Sequence, residues 1–234
     1  MLVLVAQPVA TQSVSPQPAV IQYVGPRPAA ALPEASQPPV PQPGDPVAPG
    51  SPAEGQGQAE YLAWLAGSPE IRAGVLAFNQ FLEMEGVADV LPTWQLLRTA
   101  SMWDECDGPR FEVAPPAEWQ HIAEALKFIR AHVIPVVGPV EAVSGYRNAG
   151  LNHCARGAPE SAHRHFYALD LVPVRPISRA GLVRNMCAAH QRQGEGYDIG
   201  LGFYAGTRFH IDSKGFRRWG ADGSGASSPC MVEV

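Results

Sequence analysis

The sequence lacks a basic run, a long apolar run and any CxxC pair of cysteines, and each absence narrows the class of protein. The 17 Lys and Arg residues are outnumbered by 22 Asp and Glu residues, and they form no basic stripe. A nucleic-acid partner is therefore not expected. No window approaches the roughly 18 consecutive apolar residues of a membrane-spanning helix, so no transmembrane segment is predicted.

The 24 prolines are unevenly distributed along the 234 residues. Between Gln7 and Gln58 the chain consists mainly of Pro, Ala, Gln, Gly and Ser, with almost no aromatic residues and few charges. Such a composition buries too little apolar surface to offset the entropy lost on ordering. We therefore predict a disordered tether over residues 1–58 and a single folded domain over residues 59–234.

The four cysteines, Cys106, Cys154, Cys187 and Cys230, lie far apart in the sequence. An even, dispersed set suits two disulfides in an oxidising compartment, and four buried thiols are the alternative. The first six residues, MLVLVA, are apolar but lack a basic region and are too short for the apolar core of a signal peptide. They fit either the remnant of a signal peptide or an ordinary N-terminus. A secreted or periplasmic protein is the expectation.

Apolar residues recur at helical spacing in three parts of the domain. A helical N-terminal part is predicted over residues 59–114, with a break between two helices at Gly67 and Pro69. A further helix begins near Trp119, and Pro135 is expected to stop it. Ser178 is the expected N-cap of a helix that runs to about His190.

Strand signals alternate with these helices without a regular βαβ rhythm. This mixture favours an α+β fold with a small, mainly antiparallel sheet packed with helices. The predicted strands are residues 141–146, 167–172, 198–204 and 208–213, the last two joined by a short turn that contains glycine.

Two of these strands carry polar side chains on one face. In RFHIDS, Phe209 and Ile211 point to one side of the strand, while Arg208, His210 and Asp212 point to the other. In YALDLV, residues 167–172, Asp170 lies opposite the apolar side chains. A carboxylate in so apolar a strand requires a partner, because burying an unpaired charge is costly.

A zinc site of hydrolytic type needs three nitrogen or oxygen ligands and an open fourth position for water. His163, Asp170 and His210 supply two imidazoles and one carboxylate. The loop that carries His163 leads directly into the strand that carries Asp170, so a turn brings these side chains together on the open face of the sheet. The alternative is that each is an ordinary structural residue, with Asp170 paired to an arginine.

The stretches SGYRNAGLNHCARGAPESAHRHFYALDLVP and GLGFYAGTRFHIDSKGFRRWG resemble the zinc D-alanyl-D-alanine carboxypeptidase family of metallopeptidases. The family has an SGYR turn, an SxH motif with an aspartate seven residues after the histidine, and a strand bearing HxD or HxH. These features match Ser144 to Arg147, Ser161, His163, Asp170 and His210. The resemblance covers roughly residues 115–220, which it marks as the catalytic core.

The resemblance also implies roles for residues around the ligands. Arg147 would bind the terminal carboxylate of the substrate or an adjacent carbonyl, a task that suits the guanidinium fork, with a structural arginine that bridges loops as the alternative. Ser144, Tyr146 and His165 would contact substrate, with an exposed surface position as the alternative for His165. Ser161 would orient the metal loop through a hydrogen bond.

This chain departs from the family at two positions. Many members have an acidic residue shortly before the last histidine ligand, but no carboxylate occurs among residues 206–209. Asp212 is then assigned either to accept a proton from the zinc water or to orient His210. Phe166 occupies a position three residues after the first ligand where the family often has glycine, and it is expected to narrow the cleft.

By the same resemblance, a cysteine in the last helix pairs with one near the C-terminus, which gives Cys187 with Cys230 and leaves Cys106 with Cys154. The function implied is zinc-dependent hydrolysis, as a carboxypeptidase or endopeptidase, of D-amino-acid-containing stem peptides of bacterial peptidoglycan. The alternative is an inactive module of the same zinc fold that binds peptidoglycan or a protein partner. No organic cofactor is implied.

Overall fold

The structure, a computed structural model, describes residues 52–231. The predicted tether therefore lies outside the described residues, except for its last seven positions. Within these, Gln56 is buried, and its side-chain amide donates to the carbonyl oxygen of Arg110 at 2.8 Å. Gln56 thus packs with the folded domain, two residues before the boundary placed at residue 58.

The N-terminal part of the domain is helical. The break between its first two helices has a local cause, because the hydroxyl of Ser68 accepts hydrogen bonds from the N–H groups of Glu70 and Ile71. Pro69 then occupies the first helical turn, where its missing N–H is not needed. The helices of this part are α1 (Gln58–Ala66), α2 (Pro69–Met84) and the single-turn α3 (Thr93–Leu96).

The predicted stop at Pro135 is wrong. Helix α4 (Trp119–Phe128) passes into a π-helical turn (Ile129–Val133) and continues as α5 (Ile134–Val137). Pro135 has no N–H to donate to the preceding turn. The wider π turn accommodates this missing hydrogen bond, so the chain stays helical for one more turn. It ends at Gly138, whose φ of 88° lies in the region that favours glycine. No helix within residues 52–231 is both long enough and apolar enough to cross a bilayer.

The second half of the domain contains a five-stranded sheet in the order β1-β2-β4-β3-β5, which confirms the α+β class. All neighbours are antiparallel except β3 and β5. The last strand was not predicted, because it is only three residues long and shows no buried alternation. The strands are β1 (Val140–Ser144), β2 (Ala168–Pro173), β3 (Gly200–Phe203), β4 (Phe209–Asp212) and β5 (Arg217–Trp219).

One face of this sheet forms the core with α4. The side chains on this face are fully buried and alternate along the central strands, as the period of two requires. They are Leu169, Leu171, Leu201, Phe203, Phe209 and Ile211. The remaining helices are α6 (Ala149–Cys154) and α7 (Arg179–Gln193), and Ser178 caps α7 as predicted by accepting from Gly181 N at 3.1 Å.

Two disulfides are present, with the pairing that the family resemblance implies. Cys106 is joined to Cys154 at the end of α6, and Cys187 in α7 is joined to Cys230 near the C-terminus. Each bridge spans more than 40 residues of sequence, 48 and 43 respectively. Closing loops of this length removes considerable conformational entropy from the unfolded chain, so both bridges are expected to stabilise the domain.

Candidate metal centre

On the polar face of the sheet, one row of paired residues crosses all five strands. The backbone register places Ser144 beside Asp170, Asp170 beside His210, His210 beside Gly202, and Gly202 beside Trp219. A Cβ atom on Gly202 would lie 2.0 Å from the indole of Trp219, so only glycine lets that ring cross β3. Asp170 and His210 are therefore neighbours by strand pairing, and Trp219 covers the adjacent strand.

His163 reaches the same face from a short 3₁₀ turn, Ala162–His165, that precedes β2. Ser161 caps this turn, with its hydroxyl 3.4 Å from His163 N. The turn ends at Phe166, whose φ of 52° lies in the left-handed region that glycine adopts most easily. This backbone conformation gives a physical reason for a glycine at that position in the resembled family. The Phe166 ring is fully buried and packs against Phe78, so it does not narrow the cleft as expected.

His163, Asp170 and His210, called the triad below, bring three donor atoms together. Nε2 of His163 lies 3.3 Å from Oδ1 of Asp170 and 3.2 Å from Nδ1 of His210, and the third side of this triangle is 3.0 Å. Three donors on a tetrahedral ion at about 2.0–2.1 Å would lie roughly 3.3 Å apart. The triad could thus hold a metal ion.

The other ring nitrogen of each histidine has an acceptor, which fixes the tautomer. Nδ1 of His163 lies 2.7 Å from the carbonyl oxygen of Gly145, and Nε2 of His210 lies 2.9 Å from Oδ2 of Asp212. When each of these nitrogens donates its N–H, the remaining nitrogen presents a lone pair toward Asp170. Groups outside the triangle therefore hold both rings with these nitrogens directed at Asp170, an orientation in which they could bind a metal ion.

The triad is almost completely buried, and burial shifts the pKa values of its members. Burial, with the charge of Arg147, lowers the pKa of His163 to about 4, so this ring is neutral at pH 7. Burial alone would raise the pKa of Asp170, but His163, His210 and Arg208 together hold it well below its ordinary value. Burial alone would lower the pKa of His210, but hydrogen bonds to Asp170 and Asp212 raise it.

Asp170 is held by three further side chains. Nη2 of Arg147 donates to Oδ2 at 2.8 Å, and Nη2 of Arg208 donates to the same oxygen at 2.7 Å. The hydroxyl of Tyr204 donates to Oδ1 at 2.9 Å. Arg147 also donates to the buried hydroxyl of Ser144 through two nitrogens. Two guanidinium groups thus keep this carboxylate ionised and aim its other oxygen at the histidines.

Asp212 lies on the far side of the His210 ring from the triangle. Its Oδ2 accepts from His210 and from Arg217, and its Oδ1 accepts from the backbone N–H of Lys214. The carboxylate is fully buried and lies over β3, where a Cβ on Gly200 would meet it at 2.2 Å. Of the two roles assigned from the sequence, this position has the geometry of orienting His210.

A cleft of about 520 Å³ opens beside the triad. His163, His210, Arg147 and Tyr204 line it together with two loop segments. One segment, residues 155–162, follows the disulfide at Cys154, and the other, residues 219–223, precedes the disulfide at Cys230. The carboxylates that line the cleft are Glu160 and Asp222.

Three residues predicted to contact substrate do not line the cleft. Ser144 is fully buried, and its hydroxyl accepts hydrogen bonds from Arg147. Tyr146 packs edge-on against Phe166, with ring centroids 6.1 Å apart, and does not line the cleft.

His165 belongs to a second group, called the outer cluster, in which the carboxylate of Glu118 contacts Nδ1 of His165 at 3.2 Å and Nδ1 of His121 at 3.1 Å. The side chains of this cluster are 23–41% exposed.

Three features of the site were not predicted from the sequence: Tyr204, the contact of Arg208 with Asp170, and Trp219. Arg208 was placed on the polar face by strand alternation, which was the available signal for its contact with Asp170. Tyr204 directly follows β3 and extends the ladder, since its N–H donates to the carbonyl oxygen of Arg208 at 3.2 Å. Trp219 depends on the unpredicted strand β5 and could not be located without it.

Comparison of the chain with known proteins returned no match among family models, curated proteins or solved structures. The candidate site therefore rests on its own geometry.

Proposed function

We propose that the domain is a zinc-dependent peptidase and that the triad holds its metal. The observation that carries the proposal is the triangle of donor atoms, with sides of 3.0, 3.2 and 3.3 Å, beside an open cleft. Two imidazoles and one carboxylate are a ligand set of catalytic zinc sites, in which the fourth position stays open. A bound zinc ion would polarise the scissile carbonyl and activate a water molecule.

The cleft and the motifs that resemble the carboxypeptidase family support a peptide substrate that carries carboxylates. Arg147, Arg156 and Arg217 line the cleft, and such cations suit a peptide that carries free carboxylates. Peptidoglycan stem peptides with D-residues are peptides of this kind. Two disulfides agree with an oxidising compartment, so we place the protein outside the cytoplasm, secreted or periplasmic.

The chain's own residues would orient the ligands and the substrate. Asp212 would fix the ring of His210, and Ser161 would fix the turn of His163. Arg147 is already engaged with Asp170 and Ser144 through Nε and Nη2, so substrate would meet its remaining nitrogen, Nη1. It would bind a substrate carboxylate as a single donor rather than as a two-pronged fork.

One observation favours a second function, a zinc-fold module that binds peptides without cutting them. No carboxylate precedes His210 in residues 206–209, and both oxygens of Asp212 are occupied by other donors. A base would then have to come from Glu160 or Asp222 on the loops that line the cleft.

Digestion of purified muropeptides separates these functions. The protein is stripped with a chelator, reloaded with zinc and incubated with monomeric and dimeric stem peptides, which are then analysed by mass spectrometry. A peptidase releases D-alanine or splits dimers only after zinc is restored. Zinc binding without cleavage of any stem peptide would select the binding module, and absence of zinc binding would contradict both functions.

A further inference from the structure

The proposed function assigns no role to Tyr204. Its hydroxyl oxygen lies 2.9 Å from Oδ1 of Asp170, which is one of the three donor atoms of the triad. Tyr204 also lines the cleft beside His163 and His210. The hydroxyl is thus the one described hydroxyl that touches a donor atom of the triad and borders the space where substrate would enter.

Three contacts hold the phenol ring in this position. The edge of Trp219 packs against it with ring centroids 5.2 Å apart, and the guanidinium carbon of Arg208 lies 5.1 Å from the ring centroid. The backbone N–H of Tyr204 continues the β3–β4 ladder to Arg208. Because the ring is held in place, the hydroxyl needs only to rotate about its C–O bond to reach a neighbouring acceptor, and a donor positioned in this way suits electrostatic stabilisation of developing charge.

Several other donor atoms near the triad already bind protein acceptors. Two nitrogens of Arg147 are bound to Asp170 and Ser144, and Arg217 is bound to Asp212. Arg208 contacts Oδ2 of Asp170, the oxygen that points away from the histidines, and Ser101. The phenol is the donor that contacts Oδ1 itself, alongside the two ligand histidines.

We propose that Tyr204 is a catalytic residue that donates a hydrogen bond to the carbonyl oxygen of the scissile peptide as negative charge develops on it. The proposal rests on the proposed function, because it assigns a role in that peptide hydrolysis. No proton is transferred: the single O–H of Tyr204 gives up its hydrogen bond to Oδ1 of Asp170 and donates to the carbonyl oxygen instead. In other enzymes a pair of backbone N–H groups or an amide side chain stabilises this charge. Here the phenol would supply that stabilisation.

The test compares Tyr204→Phe with the wild type. This change removes only the hydroxyl and keeps the ring contacts with Trp219 and Arg208. Tyr197→Phe is the matched control, since Tyr197 packs against Phe128 and His132 outside the cleft. Three quantities are measured for each protein: zinc affinity by calorimetry, kcat and KM on a stem peptide at saturating zinc, and affinity for a phosphinate analogue of D-alanyl-D-alanine that mimics the tetrahedral geometry.

For Tyr204→Phe we expect kcat to fall by about 10²–10³, the usual loss of one such donor. KM should change little, and the phosphinate should bind more weakly while zinc affinity is nearly retained. An unchanged kcat would overturn the proposal, and so would activity that excess zinc restores, because Tyr204 would then act only through Asp170. If the wild-type protein binds zinc but cleaves no stem peptide, the proposed function fails first, and the catalytic role of Tyr204 fails with it.

Discussion

The triad and the outer cluster contain the same side-chain types, two histidines and one carboxylate, yet of the two only the triad brings its donor atoms close enough together that it could hold a metal ion. They are close in sequence as well, since His163 and His165 lie in the same 3₁₀ turn. In the triad the three donor atoms are buried and mutually within 3.3 Å. In the outer cluster the carboxylate contacts two half-exposed rings, and the backbone carbonyl of His165 already occupies Nδ1 of His121 at 2.8 Å.

The difference shows that residue types do not define a metal site. In the triad, Gly145 and Asp212 each accept the second N–H of a histidine, so both free lone pairs converge. In the outer cluster the nitrogen that meets the carboxylate is Nδ1 in both rings, and the two rings contact different oxygens of Glu118. Partly exposed pairs of this kind contribute little stability.

The largest expected effect is a loss of zinc affinity, which is compared after one histidine of each group is replaced in turn. His163→Ala should reduce zinc affinity by more than the 10–100-fold that loss of an outer hydrogen-bond partner causes, because a ligand is removed. His165→Ala, two residues away, should leave zinc affinity unchanged. Competition with a chelating dye measures both. An equal loss in the two variants would contradict the distinction between the clusters.

A smaller effect is expected in the stability of the metal-free protein at low pH. The pKa of His163 is lowered from 6.5 to about 4, so the unfolded chain takes up a proton in this range that the folded state does not. This contribution to stability is present above about pH 6.5 and is lost as the pH falls toward 4. The full difference corresponds to about 3 kcal/mol at 1.36 kcal/mol per pKa unit.

The raised pKa of His210 does not alter this window, because its stabilising contribution is fully present below pH 6.5. Urea unfolding of metal-free protein at several pH values tests the effect. His163→Gln, which cannot take up a proton, should remove most of the loss, and His165→Gln should keep the wild-type dependence. The account fails here if His163→Gln loses stability over the same range as the wild type.

The smallest expected effect is the loss of zinc affinity when Asp212, the hydrogen-bond partner of His210, is replaced. Asp212→Ala should lower zinc affinity by about 10–100-fold, since the ring of His210 loses the acceptor that orients it. Asp212→Asn keeps an acceptor oxygen and should restore part of the affinity. If Asp212→Ala instead binds zinc normally but loses turnover, Asp212 is a base and the orienting role is wrong.

Local signals were enough to predict much of this structure from the sequence. Period-two alternation placed Asp170 and His210 on one face, and Ser178 was the predicted N-cap of a helix that its side chain does cap. The fold class follows from the same signals. The pairing of the cysteines came only from the family resemblance, since spacing alone permits three connectivities.

What could not be predicted depends on contacts between distant segments. The role of Asp212 depends on which side of the His210 ring its carboxylate reaches, and a sequence does not encode that directly. Asp170 accepts hydrogen bonds from Arg147 and Arg208, which are far apart in the chain. The continuation of the helix through Pro135 depends on a π turn that helical spacing does not reveal.

The location of a bound zinc ion tests the central claim most directly. Crystals of the zinc-loaded protein, measured at the zinc absorption edge, should show an anomalous peak within about 2.0–2.2 Å of Nε2 of His163, Oδ1 of Asp170 and Nδ1 of His210. A peak at the outer cluster with none at the triad, or no ordered zinc at either position, would contradict the account.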